Sequence, residues 1–100
     1  MPNYSREGET VLTTEGRVAF GKALTHMRKV SGLPLIEIGK KLELGNATVH
    51  RMERGVGYQP TSRARDTVKV FFPDVDDPNV CLVIQAILGD KLYAEIFENG

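Results

Sequence analysis

Cysteine is almost missing from this chain: Cys81 is the only one in 100 residues. A single thiol excludes an intrachain disulfide framework and any zinc or iron–sulfur site built from several cysteines, and it suits a reducing compartment. His26 and His50 share no ligand spacing with Cys81, so neither a metal nor another cofactor is expected. No apolar run approaches the roughly 18 residues that a membrane helix needs. The opening stretch MPNYSREGET has no apolar centre of the kind a signal peptide carries. No nucleophile stands with a readable base, so an enzyme is not expected. Net charge is lacking too, with 13 basic and 13 acidic residues. What is present is 41% hydrophobic residues, too many for a disordered chain. The length fits one compact domain. A chain this short buries a modest share of its surface, which leaves room for a partner chain. These features predict a cytoplasmic protein.

The zero charge conceals a division. Residues 15–70 hold eleven Lys and Arg against five acids, a net +6, whereas residues 71–100 hold Lys91 against six acids, a net −5. Residues 1–14 add −1. A split of this kind points to separate interaction surfaces more than the total does, although a solvated surface is the plain alternative.

Residues 1–13 are polar and lack periodicity, and read as a flexible arm. Thr13 or Thr14 can cap a first helix, in which Phe20, Leu24 and Met27 recur at helical spacing flanked by Ala23 and Val30. Gly32 and Pro34 end it. A second helix fits Pro34–Leu42, with Leu35, Ile38 and Leu42 on one side. After the turn Glu43-Leu44-Gly45, a third runs from Asn46 to Arg54 and buries Val49 and Met52. The run Gly55–Pro60 is a loop by its breakers. Thr61 or Ser62 caps a fourth helix reaching Phe72, with Ala64, Val68, Phe71 and Phe72 as candidates for burial. Asp77-Pro78 opens a fifth helix to Leu88 that is apolar nearly all round, and so is buried on most sides. Lys91 to Glu98 is a final helix or a strand, with helix preferred. The expected architecture is all-α, with five helices and possibly a sixth: one helical domain over residues 14–72 and a C-terminal helical interaction segment over 73–100.

Two short helices joined by three residues must cross closely, which requires a small residue at the approach. Gly39 stands there, with apolar Ile38, Leu42, Leu44, Val49 and Met52 around it. Such a helix-turn-helix turns the exposed face of its later helix toward a DNA major groove. Leu24, Arg28, Gly32, Leu33, Ile38, Gly39, Val49, Met52, Glu53 and Gly55 stand in register, without a gap, with a known pattern. Over residues 17–72 the chain thereby resembles the lambda-repressor-like helix-turn-helix family of phage repressors and their bacterial relatives. Two positions depart from it. Leu35 stands where the family usually has a glutamine that contacts DNA, and Glu43 replaces the turn glycine, so a glutamate must take a left-handed backbone.

The resemblance implies roles by position. Asn46, Ala47, Thr48, His50 and Arg51 would face base edges. Arg51 can bond guanine O6 and N7, Asn46 can bond adenine N6 and N7, and Ala47 and Thr48 can meet a thymine methyl. Asn46 has a second reading as the helix cap, and His50 as an ordinary exposed residue. Lys22, Lys40, Lys41, Arg54, Arg63 and Arg65 would meet phosphates, each with a solvated charge as its alternative. Arg28 and Glu53 resemble the family's internal ion pair. Arg6 either enters a minor groove or is an inert tail. A dimer surface is expected from Val80, Val83, Ile84, Ile87, Tyr93 and Phe97, with Cys81 packing on the same helix.

Three near-motifs are set aside. Residues 16–23 approach a phosphate-binding loop, but Ala23 stands where magnesium needs a hydroxyl, and no strand precedes it. Asn46-Ala47-Thr48 is formally a glycosylation sequon. Asp74, Asp76 and Asp77 lack the closing glutamate of a calcium loop. The expected function is a sequence-specific double-stranded-DNA-binding regulator, a repressor acting as a homodimer, of phage or bacterial type. The alternative is an antitoxin or adaptor whose C-terminal segment binds a partner protein.

Overall fold

A computed structural model describes residues 4–5 and 9–98; Arg6 lies outside them. Two strands of two residues each, β1 (Tyr4–Ser5) and β2 (Glu9–Thr10), pair antiparallel. The rest of the regular structure is helical, so the domain is all-α: α1 (Thr14–Ser31), α2 (Leu35–Leu42), α3 (Asn46–Arg54), α4 (Thr61–Phe71), α5 (Pro78–Leu88) and α6 (Asp90–Tyr93). A π-helical turn over Ala94–Glu98 follows α6, so the final segment is helical and not a strand.

Local chemistry accounts for most boundaries. Thr13 caps α1 by accepting from the Gly16 N–H at 3.0 Å, and Gly32 closes it with φ 72°. Asp77 caps α5 by accepting from the Asn79 N–H at 2.8 Å, and Pro78 fills the first turn. Two expected boundaries differ. Pro34 is the cap residue of α2 and not its first helical residue. Neither Thr61 nor Ser62 caps α4. Extended Pro60 takes that position, its fixed φ placing the carbonyl to accept from the Ala64 N–H at 3.1 Å. The Thr61 hydroxyl bonds that of Thr10 instead, at 2.8 Å.

Fourteen buried apolar residues form one cluster running from Leu12 through α1–α4 to Ile84, Leu88, Leu92 and Ile96. Both expected divisions shift accordingly. The arm expected over residues 1–13 does not extend through Leu12, which is fully buried and donates its N–H to the Gln59 carbonyl at 2.8 Å. Val11 also bridges Pro60. The boundary expected at residue 72 does not divide the core, since the segment beyond it supplies Ile84 and Leu88 from α5, Leu92 from α6 and Ile96 from the π-helical turn, on both sides of the break at Gly89. Two contacts fasten the C-terminal turn. Glu95 accepts from the backbone N–H and the hydroxyl of Thr13, and Arg65 donates to the Ile96 carbonyl. The radius of gyration, 12.6 Å, is near the ~13 Å of a folded 100-residue domain. Among the described residues no helix is long and apolar enough to cross a membrane.

Candidate nucleic-acid interface

The joint between α2 and α3 decides what α3 displays. Its turn is Glu43–Gly45, and Glu43 adopts φ 57° and ψ 43°, the only non-glycine with positive φ among the described residues. That conformation lets the Leu44 N–H reach the Gly39 carbonyl at 2.8 Å. The approach leaves no room for a side chain, since a Cβ on Gly39 would lie 2.7 Å from the Leu44 carbonyl oxygen. Gly21, part of the stretch that imitates a phosphate loop, has a similar reason. A Cβ there would collide with the Glu53 carbonyl oxygen, so α1 and α3 pack nearly backbone to backbone.

Held this way, α3 buries Val49 and Met52 against α1 and α2. Asn46, Ala47, His50 and Arg51 face solvent, and Thr48 is half-buried beside them. The five expected base-contact residues therefore share one exposed side of one helix. Asn46 is not a cap: Gly45 holds that position and makes no side-chain capping bond, so the amide of Asn46 is left for other partners. Arg51 Nη2 donates to Thr48 Oγ1 at 3.4 Å. Glu53, the only acid on α3, turns toward α1, where its two oxygens accept from Nε and Nη2 of Arg28. With the side chains 26% and 12% exposed, this bidentate pair fixes the helices' relative position and removes the one negative charge from the outer face of α3.

The expected phosphate contacts divide. Lys22, Lys41 and Arg54 are exposed. Lys40 is exposed too, with a loose ion pair to Glu37 at 3.6 Å. Arg63 lines a groove of about 200 Å³ together with Thr48, Arg51, Val56 and Tyr58. It donates to the Tyr58 carbonyl at 3.2 Å, and its guanidinium lies 5.8 Å from the centre of the Tyr58 ring. Arg65 must be withdrawn from the phosphate set. Its Nε and Nη2 donate to the Ile96 carbonyl at 3.3 and 3.0 Å, which ties α4 to the C-terminal turn. Residues two apart on a helix point some 200° apart, so Arg63 and Arg65 cannot serve one surface. Sequence reasoning passed over Val56, Gly57 and Tyr58, because a run of breakers reads only as a loop.

The expected dimer surface is partly corrected as well. Ile84 is 1% exposed and belongs to the chain's own core, so it cannot meet a partner. Val80, Ile87, Tyr93 and Phe97 are half-buried against that core, and the Tyr93 and Phe97 rings pack with centroids 5.0 Å apart. Val83 is 49% exposed, and Leu82, not singled out in the sequence, is 65% exposed. Exposed Ala86, four residues after Leu82 and three after Val83, completes one outward stripe on α5. Beside α5, His26, Val30, Phe71, Phe72 and Ile87 line a shallow apolar groove of about 210 Å³. Burial raises the phenol of Tyr93 above its ordinary value of 10, and a hydrogen bond with the Cys81 side chain adds to this. Cys81 itself packs half-buried, 2.8 Å from the Val75 carbonyl.

Among the described residues no three of His, Cys, Asp and Glu gather as a metal-binding group. Fold and site together define a small all-α domain that presents a short polar helix, backed by two others, on its surface. No protein-family model, no curated protein and no solved structure matches this chain.

Proposed function

We propose that this protein is a sequence-specific, double-stranded-DNA-binding regulator, a cytoplasmic repressor of the lambda-repressor-like type that reads the major groove with α3 as a homodimer. The observation that carries the reading is the outer face of α3. Asn46, Ala47, Thr48, His50 and Arg51 lie together there, and the helix's single acid is turned away onto Arg28. Every polar group on that face can bond a base edge, and none repels phosphate. Lys22, Lys40, Lys41, Arg54 and Arg63 supply the sequence-independent attraction, and the acidic C-terminal segment turns toward protein. One recognition helix reads few base pairs, so a useful operator needs two copies on half-sites about one turn apart. The Leu82–Val83–Ala86 stripe is the surface for the second copy. It is uncharged, so identical faces meet without repulsion.

The test is enrichment of bound sites from random duplexes, with the mass of the complex measured. The expected result is a two-fold-related site bound by two chains. Arg51→Ala removes about 1–3 kcal/mol from the selected site and leaves random duplex unaffected. Equal losses on both duplexes sink the recognition role of α3. The same apolar stripe also favours an antitoxin or adaptor. A chain that is monomeric and shows no duplex shift at low salt replaces the regulator with that second reading.

A further inference from the structure

The loop from Gly55 to Pro60 stands between α3 and α4 and is fixed at both ends. Gly55 ends α3 in the left-handed conformation at φ 72°. Gln59 is buried, its carbonyl accepts from the Leu12 N–H at 2.8 Å, and its Nε2 donates to the Val56 carbonyl at 3.2 Å. A loop so anchored is a firm wall, and Arg51 lies along it. An ideal Cβ on Gly57 would sit 3.6 Å from Arg51 Cδ and 3.9 Å from Arg51 Nε. One added carbon would therefore only touch the arginine, whereas a longer side chain needs the space that the arginine stem occupies. At the end of the side chain, Thr48 Oγ1 accepts from Arg51 Nη2 at 3.4 Å.

We propose that Gly57 is a positioning residue for sequence discrimination: by carrying no side chain, it lets the loop cradle Arg51 so that the guanidinium is aimed outward from α3 before any duplex arrives. The inference rests on the DNA-reading role proposed above and assigns a determinant outside the recognition helix. A long side chain confined beforehand loses less freedom on binding, so the confinement strengthens the contact that discriminates. The neighbouring residue performs a parallel service for Arg63, whose guanidinium is held by the Tyr58 ring and carbonyl. The loop thus holds one arginine for bases and one for the backbone.

Two substitutions separate this from a merely structural glycine. Gly57 has φ 84°, a backbone that strains any side chain, asparagine no more than alanine. Backbone strain therefore makes Gly57→Asn no more harmful than Gly57→Ala, while displacement of Arg51 makes Gly57→Asn the more harmful one. The expected result is that Gly57→Asn weakens the selected duplex about tenfold and random duplex less than about twofold. Gly57→Ala loses less, and Gly57→Asn adds nothing in an Arg51→Ala background. Alanine losing as much as asparagine, or an asparagine effect that persists without Arg51, overturns the proposal. A readout without DNA accompanies it: nuclear relaxation of the Arg51 Nε–H, expected ordered in the unaltered protein and mobile in Gly57→Asn. An Arg51 side chain equally mobile in both overturns the positioning role by itself. An unaltered protein that prefers no duplex overturns the regulator reading and the discriminating role together, while the relaxation data still decide whether Gly57 confines Arg51.

Discussion

Helices α3 and α5, of nine and eleven residues, each bury two side chains in the same core. They differ in what they leave outside. The outer side of α3 carries an amide, a hydroxyl, an imidazole and a guanidinium, all groups that water solvates well. The outer side of α5 carries Leu82, Val83 and Ala86, and no charged residue lies between Asp77 and Asp90. Equal burial therefore conceals opposite needs. The face of α3 is stable in water and ready to exchange water for polar edges. That of α5 gains by being covered, as the proposed second copy would cover it. The lesson is that the exposed residues distinguish the two helices, because the buried ones serve the same core.

The strongest break of this comparison comes within α5. Ile84→Ala is expected to destabilise the monomer by about 2–5 kcal/mol, whereas Leu82→Ser shifts it by less than about 0.5 kcal/mol and lowers the mass in solution. Urea denaturation and light scattering check the pair, and equal destabilisation would remove the division between inner and outer faces. Next comes the joint that displays α3. Gly39→Ala places a methyl 2.7 Å from the Leu44 carbonyl oxygen and is expected to cost about 1–3 kcal/mol, again by urea.

A finer contrast separates two arginines. Arg54→Ala is expected to weaken all duplexes alike and to lower the slope of log affinity against log salt by about one. Arg65→Ala leaves that slope unchanged and costs about 1 kcal/mol of stability through its lost bonds to Ile96. A reduced slope for Arg65→Ala returns that residue to the phosphate surface. The smallest effect belongs to the turn. Glu43→Gly relieves a left-handed glutamate and is expected to stabilise by about 0.5–1 kcal/mol, seen as a raised melting temperature with unaltered duplex preference.

Much of this fold is legible in the chain because its signals are local. Threonine before Glu15, Asp77 before Pro78, and glycine after α1 and α3 mark ends by bonds within one turn of backbone. The three-residue link between α2 and α3 likewise requires a left-handed residue and a bare Gly39. Most of the unread parts involve partners distant in sequence. Leu12 gives no sign that it will meet Gln59, and nothing in the polar run before it marks its burial. Arg63 and Arg65 are chemically alike, so only the positions of Tyr58 and Ile96 decide that the first lies along the loop after α3 and the second is tied to the C-terminal turn. The apolar run of α5 hides its inner side, since a helix hydrophobic all round has no pattern to separate Ile84 from Leu82. The loop Gly55–Pro60 reads as a connector until Arg51 is found lying along it.

By itself, then, the sequence determined the all-α class, nearly every helix boundary, the strained glutamate turn and the set of polar residues that share the outer side of α3. Each follows from caps, breakers and the 3.6-residue period, which act over a few residues. Tertiary structure alone decided that the C-terminal helices complete one core, that Arg65 is spent inside the fold, and that Leu82 and Val83 stay uncovered. It also decided that Gly57 lies against Arg51. Those outcomes depend on which surfaces meet once the chain has folded back on itself, and side-chain spacing along a single helix carries no record of the neighbour it will face.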